Sequence, residues 1–338
     1  MKFQYVPELD GLRALAILAV MGLHFAPKFV TAGSLGVDIF FVLSGYLITS
    51  ILLSEVEQTG TLDYRAFLMR RARRLLPALG ALLAIYCVLV PIVAPEVAGR
   101  RWFDMATTAF YVTNLRQTFW PWNTPLSHTW SLAIEEQFYV LWPFTMLWLT
   151  RFPRESVARV LLATWAALTV ARTEWELFVG GPAPYYFTLF HSTGLIFGAM
   201  IAFKPPQVRM GREAFLAILL LIFAGMARTT HLIPQTLAEI AAGLVIVDPP
   251  ALLSLASMRF LGRISYGIYL WHIPLLWVFG NPFFATLGFF PGILALLAIS
   301  CFAGWLSYVL VERHFLRSIR RKAINHGAAA SEYAIEVN

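Results

Sequence analysis

LDGLRALAILAVMGLHFAP, residues 9–27, has the length and apolar content of a membrane-spanning helix, yet it carries Asp10 and Arg13 near its start and His24 near its end. Arg13 and His24 are eleven positions apart. At about 100° per residue that is roughly three turns plus 20°, so on an α-helix both side chains share one face, about 16 Å apart along the axis. Two ionisable groups on one face of an otherwise apolar helix need a reason, because hydrocarbon charges several kcal/mol for each unless it meets a cavity or a partner.

The rest of the chain is of the same kind. Of the 338 residues 59% are hydrophobic, 15% aromatic and only 13% charged, a balance that excludes an ordinary soluble domain. The formal net charge of +7 is spread in short basic clusters between apolar segments, which fits membrane topology and not nucleic-acid binding. Cys87 and Cys301, the two cysteines, both lie inside apolar runs, so neither a disulfide framework nor a cysteine-based metal site is expected, and no metal is assigned. The first apolar segment lacks a small-residue cleavage site after it and is read as a retained helix.

Working outward, apolar segments fall at about 10–26, 36–54, 75–95, 132–150, 157–172, 187–203, 214–227, 236–253, 264–280 and 291–311. The expected fold class is therefore all-α, a polytopic membrane bundle of about ten transmembrane helices. An extra segment at 102–119 contains Asp104, Asn114 and Arg116 and reads either as an eleventh span or as an interfacial or re-entrant piece. Charge decides between them: with ten spans and both termini cytoplasmic, RRARR (70–74), Arg151, Arg154, Lys204, Arg209, Arg212, Arg259, Arg263 and the tail's RSIRRK all fall inside. The expected organisation is one membrane domain over 1–316 and a basic, polar, loosely ordered cytoplasmic tail over 317–338, with no second soluble domain.

Asp10, Arg13, His24, Asp38, Glu135, Glu136, His272 and Glu312 stand out as ionisable groups at membrane depth. A histidine near the outer end of a helix suits general-base chemistry near neutral pH, whereas an arginine offers a charged fork for a carboxylate or phosphate. The plainer alternative has Arg13 and His24 reaching to opposite headgroup layers. Asp38, near the outer end of the second segment, and Glu135 are both candidates to hydrogen-bond His24 and orient it. Arg70, Arg71 and Arg74 precede the third segment, either as topological anchors or as a dock for a phosphate-rich cytosolic molecule, with Arg71 and Arg74 on one face. In PLSHTWSLAIEEQFYVLWP (125–143), Ser131 and Glu135 share a face, while Trp130, Phe138, Tyr139 and Trp142 are interfacial aromatics or the walls of a sugar-sized pocket.

Six stretches in order resemble the acyltransferase-3 family of bacterial membrane O-acyltransferases. Arg13 and His24 fit its arginine, ten residues, histidine signature. GVDIFFVLSGYLIT, FLMRRARRLLPAL, HTWSLAIEEQFYVLWP, ISYGIYLWHIPLL and LSYVLVERHF follow, so the resemblance covers about residues 5–316. It implies an O-acetyltransferase of the bacterial cytoplasmic (inner) membrane. Such an enzyme takes an acyl group, usually acetyl from cytosolic acetyl-CoA, and delivers it to a hydroxyl of an extracytoplasmic glycan or glycolipid precursor. By the same resemblance His24 is the catalytic histidine and Arg13 its companion, Arg71 and Arg74 are the arginine pair near the cytosol, and Glu135 is the glutamate of the family's SLxxEExFY motif. The chain departs from many members at His191, where an arginine is frequent, near Gly194, where an acidic residue is frequent, and at His314, where a proline is common. It also lacks the appended esterase-like domain of some longer members, so it is expected to finish the transfer alone or to hand the acyl group on.

The expected mechanism has Arg70, Arg71 and Arg74 hold the acyl-CoA while His24, oriented by Glu135 or Asp38, deprotonates the acceptor hydroxyl or is itself transiently acylated. The rival readings are a proton-coupled transporter of a small polar solute, in which the buried ions form a pathway, and a membrane sensor in which they serve packing.

Overall fold

The computed structural model describes residues 5–181, 183–223 and 232–315, without the side chains of Pro184 and Leu232; the expected tail over 317–338 lies outside the described residues. Within them every regular element is helical. The helices are α1 (Pro7–Phe25), α2 (Leu35–Thr59), α3 (Tyr64–Val93), α4 (Pro95–Ala98), α5 (Arg101–Ala109), α6 (Thr113–Phe119), α7 (Trp130–Leu149) and α8 (Arg154–Phe178). They continue as α9 (Ala183–Tyr186), α10 (Thr188–His191), α11 (Thr193–Phe203), α12 (Gly211–Phe223), α13 (Leu232–Val247), α14 (Ala256–Arg263), α15 (Ser265–Leu287) and α16 (Phe289–Ser307). Helix α16 passes through a π-turn at Tyr308–Glu312 and is described as far as Phe315.

Within the described residues the apolar segments fall largely on helix, with 224–227 of the segment 214–227 lying outside them and 236–253 running past the end of α13 at Val247. By length and composition three are able to cross a membrane on their own: Leu35–Thr59, Tyr64–Val93 and Phe289–Phe315. The segment at 187–203 is divided, because α11 has eleven residues, about 16 Å of helix, and a break at Ser192 separates it from α10. The ambiguous stretch 102–119 is not one continuous helix. It folds as α5 and α6 around Tyr111, whose φ of 54° is left-handed. Buried polar groups hold this turn. Arg116 donates to the carbonyl of Trp122 at 3.0 Å and lies 3.8 Å from Asp104, which accepts from Trp122 Nε1 at 3.1 Å and Tyr86 at 3.3 Å.

Local chemistry sets the ends of the site-bearing helices. Gly60, at φ 71°, closes α2 with its N–H on the carbonyl of Val56, and the Asp63 carboxylate caps α3 by accepting from the N–H of Ala66 at 2.8 Å. Helix α2 is central. One side packs so closely on α11 that a Cβ at Gly45 would lie 2.0 Å from the Leu195 carbonyl oxygen, and one at Gly198 would lie 2.0 Å from that of Val42. Small residues at helix contacts in apolar surroundings allow this approach. Its other side meets α7, where Trp142 Nε1 donates to Thr49 at 2.9 Å. The apolar core accordingly has two parts, one around Ile17, Phe41, Leu79, Trp142 and Ile268, the other around Leu12, Val42, Ile201 and Val245.

Candidate active site

Between α1, α2, α3, α7 and α15 lies a cavity of about 100 Å³ whose lining includes Arg13, Ser44, Arg71, Arg74, Tyr111, Ser131, Glu135, Glu136, Tyr139, Ser265, Tyr266 and Tyr269. Helical periodicity explains the set. On α7, Ser131, Glu135 and Tyr139 recur every four residues and form one inward stripe. On α3, Arg71 and Arg74 are three apart and both face the cavity, as their spacing predicts. Arg70 does not join them in the lining; it bonds Glu55 of α2 at 3.4 Å. The 100° step between Arg70 and Arg71 is the reason.

Three guanidinium groups and two carboxyls thus share one polar chamber. Ser44 donates to Glu135 Oε1 at 2.6 Å, and the Arg71 guanidinium lies 4.8 Å above the Tyr139 ring with its buried Nε unpartnered among the described residues. Arg13 is also tied to its own helix, 3.0 Å from Asp10, whose other oxygen accepts from Tyr5. Arg74 lies within electrostatic reach of Arg13, Arg71 and Glu312, the last accepting from Ser307 at 3.0 Å in the π-turn. A chamber with this lining suits the polar and anionic parts of a ligand.

His24 does not line the chamber. Its Nδ1 donates to the carbonyl of Val20 at 2.8 Å, which fixes the tautomer and leaves Nε2 as the lone-pair nitrogen. The ring stands 5.1 Å, centroid to centroid, from His272, whose ring is in turn 5.4 Å from Tyr269 of the chamber. Tyr269 is the shared wall: its hydroxyl donates to the carbonyl of His128 at 2.6 Å and accepts from Ser131 at 2.6 Å. Of these two α1 residues, Arg13 thus lines the chamber and His24 lies beyond it.

Neither carboxylate that the sequence offers as the partner of His24 touches it among the described residues. Glu135 is bound to Ser44. Asp38 accepts from His191 Nε2 at 3.1 Å and from Gln235 at 2.7 Å. The cause is helix phase: Asp38 lies six residues, or about 240°, from Ser44, on the side of α2 that meets α11 and α13. His191 also uses Nδ1 on the Tyr185 carbonyl at 2.6 Å and is boxed by Phe41, Trp130 and Tyr185. Sequence reading also passed over His128, buried beside His272 at 5.1 Å, and the buried pair Arg172–Glu239 at 3.8 Å. The signal was present in both cases: a histidine in SHTW at the outer depth, and opposite charges isolated in apolar helices.

Residues 6–312 match the acyltransferase domain family, Acyl_transf_3. The chain is 33% identical over 310 residues to the peptidoglycan O-acetyltransferase OatA of Listeria monocytogenes, covering 81% of this chain and 50% of that protein. It is 32% identical over 375 residues to the putative peptidoglycan O-acetyltransferase YrhL of Bacillus subtilis (96% and 57%), and 31% identical over 314 residues to the O-acetyltransferase OatA of Staphylococcus aureus (83% and 52%). The chain thus spans about half the length of the curated relatives it matches, and no solved structure matches it. The family match across the site-bearing helices, with Arg13, His24, the α3 arginines and Glu135 all inside it, places this chain in the acyltransferase-3 family.

Proposed function

We propose that the chain is a multi-pass O-acetyltransferase of the bacterial cytoplasmic membrane that moves acetyl from cytosolic acetyl-CoA to a hydroxyl of an extracytoplasmic glycan. The relatives' names favour a glycan of the peptidoglycan class as acceptor and favour transfer over solute transport. In this reading residues 1–316 are one acyltransferase unit with about ten spans, both ends are cytoplasmic, and 317–338 is a basic tail.

The observation that carries the proposal is the pairing of an arginine-lined chamber with a histidine cluster, both in contact with Tyr269. One holds Arg13, Arg71 and Arg74; the other holds His24 with a free Nε2. The fit to the donor rests on the first: three guanidinium groups, one with an unpartnered buried Nε, match a ligand rich in phosphate and carbonyl oxygens. Arg71 and Arg74 hold the donor from the cytosolic end, Arg13 and Glu135 shape the depth of the chamber, and the thioester reaches past Tyr269. His24 Nε2 then takes the proton of the acceptor hydroxyl as its oxygen attacks the thioester carbonyl; the new C–O bond forms, the C–S bond breaks, and the thiolate leaves with the proton from the imidazolium. Asp38 acts through the α2–α10–α13 contact that it makes with His191 and Gln235, as a positioning group.

The test is turnover of labelled acetyl-CoA by purified protein in lipid vesicles, with wild type beside His24→Gln and Arg13→Ala. Release of CoA that requires both residues supports the proposal. Folded wild type that neither binds nor consumes acetyl-CoA, or a folded His24→Gln protein with normal turnover, overturns it.

A further inference from the structure

At the outer end of α1 several imidazole nitrogens gather without partners. His272 is fully buried, and its Nδ1–H donates to the carbonyl of Tyr269 at 2.7 Å, so Nε2 is a buried lone pair with no hydrogen bond among the described residues. His24 repeats the pattern, with Nδ1–H on Val20 and Nε2 open. His128 is buried, and neither ring nitrogen reaches full hydrogen-bond geometry among the described residues, with the backbone of Pro125, Tyr269 and Leu270 beside the ring. The His272 ring lies 5.1 Å from each of the other two, so the free nitrogens belong to one cluster.

Packing does not account for this arrangement. Each buried polar atom left unsatisfied costs about 1–3 kcal/mol, whereas an apolar ring of the same shape would fill the space at no such cost. Nor is this a site for a charged ligand. No carboxylate among the described residues bonds any of the three rings, and burial, followed by the nearby His24, pushes the His128 imidazole down to about 3, so it stays neutral at physiological pH. A cluster in which His24 and His272 each commit Nδ1–H to a backbone carbonyl and present an Nε2 lone pair matches hydroxyl donors. The arginine chamber on the far side of Tyr269 has the opposite character. His24 is half-buried where the other two are buried.

We propose that His128 and His272, with His24, form the binding site for a neutral, hydroxyl-rich acceptor such as a sugar ring, in which the Nε2 atoms of His24 and His272 each accept one hydroxyl hydrogen. The hydroxyl on His24 is the one acylated; the neighbour on His272 sets which hydroxyl that is. The assignment rests on the transferase reading for the fate of the bound hydroxyl, but binding itself is separately measurable.

The experiment measures binding of a soluble N-acetylglucosamine pentasaccharide, and separately of CoA, to the purified full chain in vesicles, for wild type, His128→Phe, His272→Phe, His272→Gln and His272→Asn. The expected result is that wild type binds the sugar, both Phe variants bind it at least tenfold more weakly, and CoA affinity stays within twofold. If a Phe variant also loses CoA affinity, and with it its fold, the amide pair decides. The His272→Gln oxygen stands near the Nε2 position and retains sugar binding, while the His272→Asn oxygen stops short and loses it. Wild type that binds no sugar, Phe variants that bind it as wild type does, or equal affinity of the two amide variants overturns the proposal. Wild type that binds sugar and CoA but transfers no acetyl between them overturns the transferase reading and leaves this site standing.

Discussion

Arg71 and Arg70 are neighbours in a run of four arginines within five residues, yet they should behave oppositely when removed. Arg71 lines the chamber over Tyr139, with a buried Nε that no described residue satisfies. A hydrogen bond from a charged group to a ligand oxygen contributes about 1.5–3 kcal/mol. At about 1.4 kcal/mol per tenfold, Arg71→Ala should weaken CoA binding roughly tenfold to hundredfold. Arg70 bonds Glu55 outside the lining, a partly exposed pair of the kind that contributes about 0–1 kcal/mol, so Arg70→Ala should leave CoA affinity within about twofold. Arg71→Lys retains the charge but not the planar fork and should fall between wild type and Arg71→Ala. Isothermal titration with CoA, on protein held in lipid nanodiscs, measures all three. An Arg71→Ala protein that binds as wild type does, or an Arg70→Ala protein that loses as much as Arg71→Ala, refutes the placement of the donor in this chamber.

Other perturbations test the frame around the site. Gly198→Ala puts a Cβ 2.0 Å from the Val42 carbonyl oxygen, which forces α2 and α11 apart; a loss of about 1–3 kcal/mol is expected as a lowered melting temperature, and an unchanged one would contradict the close contact. Asp104→Ala leaves the buried Arg116 charge without its carboxylate, so a loss of about 3–5 kcal/mol and faster proteolysis between residues 96 and 131 are expected; wild-type protease resistance would count against the buried pair. His128 has a folded pKa of about 3 against an ordinary 6.5, so below pH 6.5 the unfolded chain binds a proton that the folded chain refuses. Its contribution is therefore complete above pH 6.5 and lost as the pH falls toward 3, and wild type should lose up to about 1.4 kcal/mol per pH unit more than His128→Gln in that window. Parallel stability curves between pH 7 and 4 would show that His128 is not held neutral.

Where side-chain phase on a single helix decided the outcome, the sequence was a reliable guide. The three-residue spacing of Arg71 and Arg74 and the four-residue spacing of Ser131 and Glu135 both translate into shared faces on the chamber. Partnerships between helices were not legible. Asp38 and Glu135 have the right depth and chemistry to orient His24, but depth does not set rotation: α2 turns Asp38 toward His191 and Gln235, α7 turns Glu135 toward Ser44, and a backbone carbonyl holds His24 instead. The histidine cluster was hidden for the same reason, since His24, His128 and His272 come from three elements far apart in the chain. In the region from 102 to 119, hydropathy alone left a span and a folded loop equally open, and the left-handed turn at Tyr111 with the Asp104–Arg116 pair beneath it selects the loop.

The most direct test of transfer from a cytosolic donor to an external acceptor is sidedness. Protein is reconstituted in one orientation in sealed vesicles with labelled acetyl-CoA on the arginine side of the membrane and the N-acetylglucosamine pentasaccharide on the His24 side. Labelled O-acetyl sugar is expected on the His24 side, lost in His24→Gln, and none when donor and acceptor are exchanged. Equal labelling in both arrangements, or labelling that survives His24→Gln in folded protein, would contradict it.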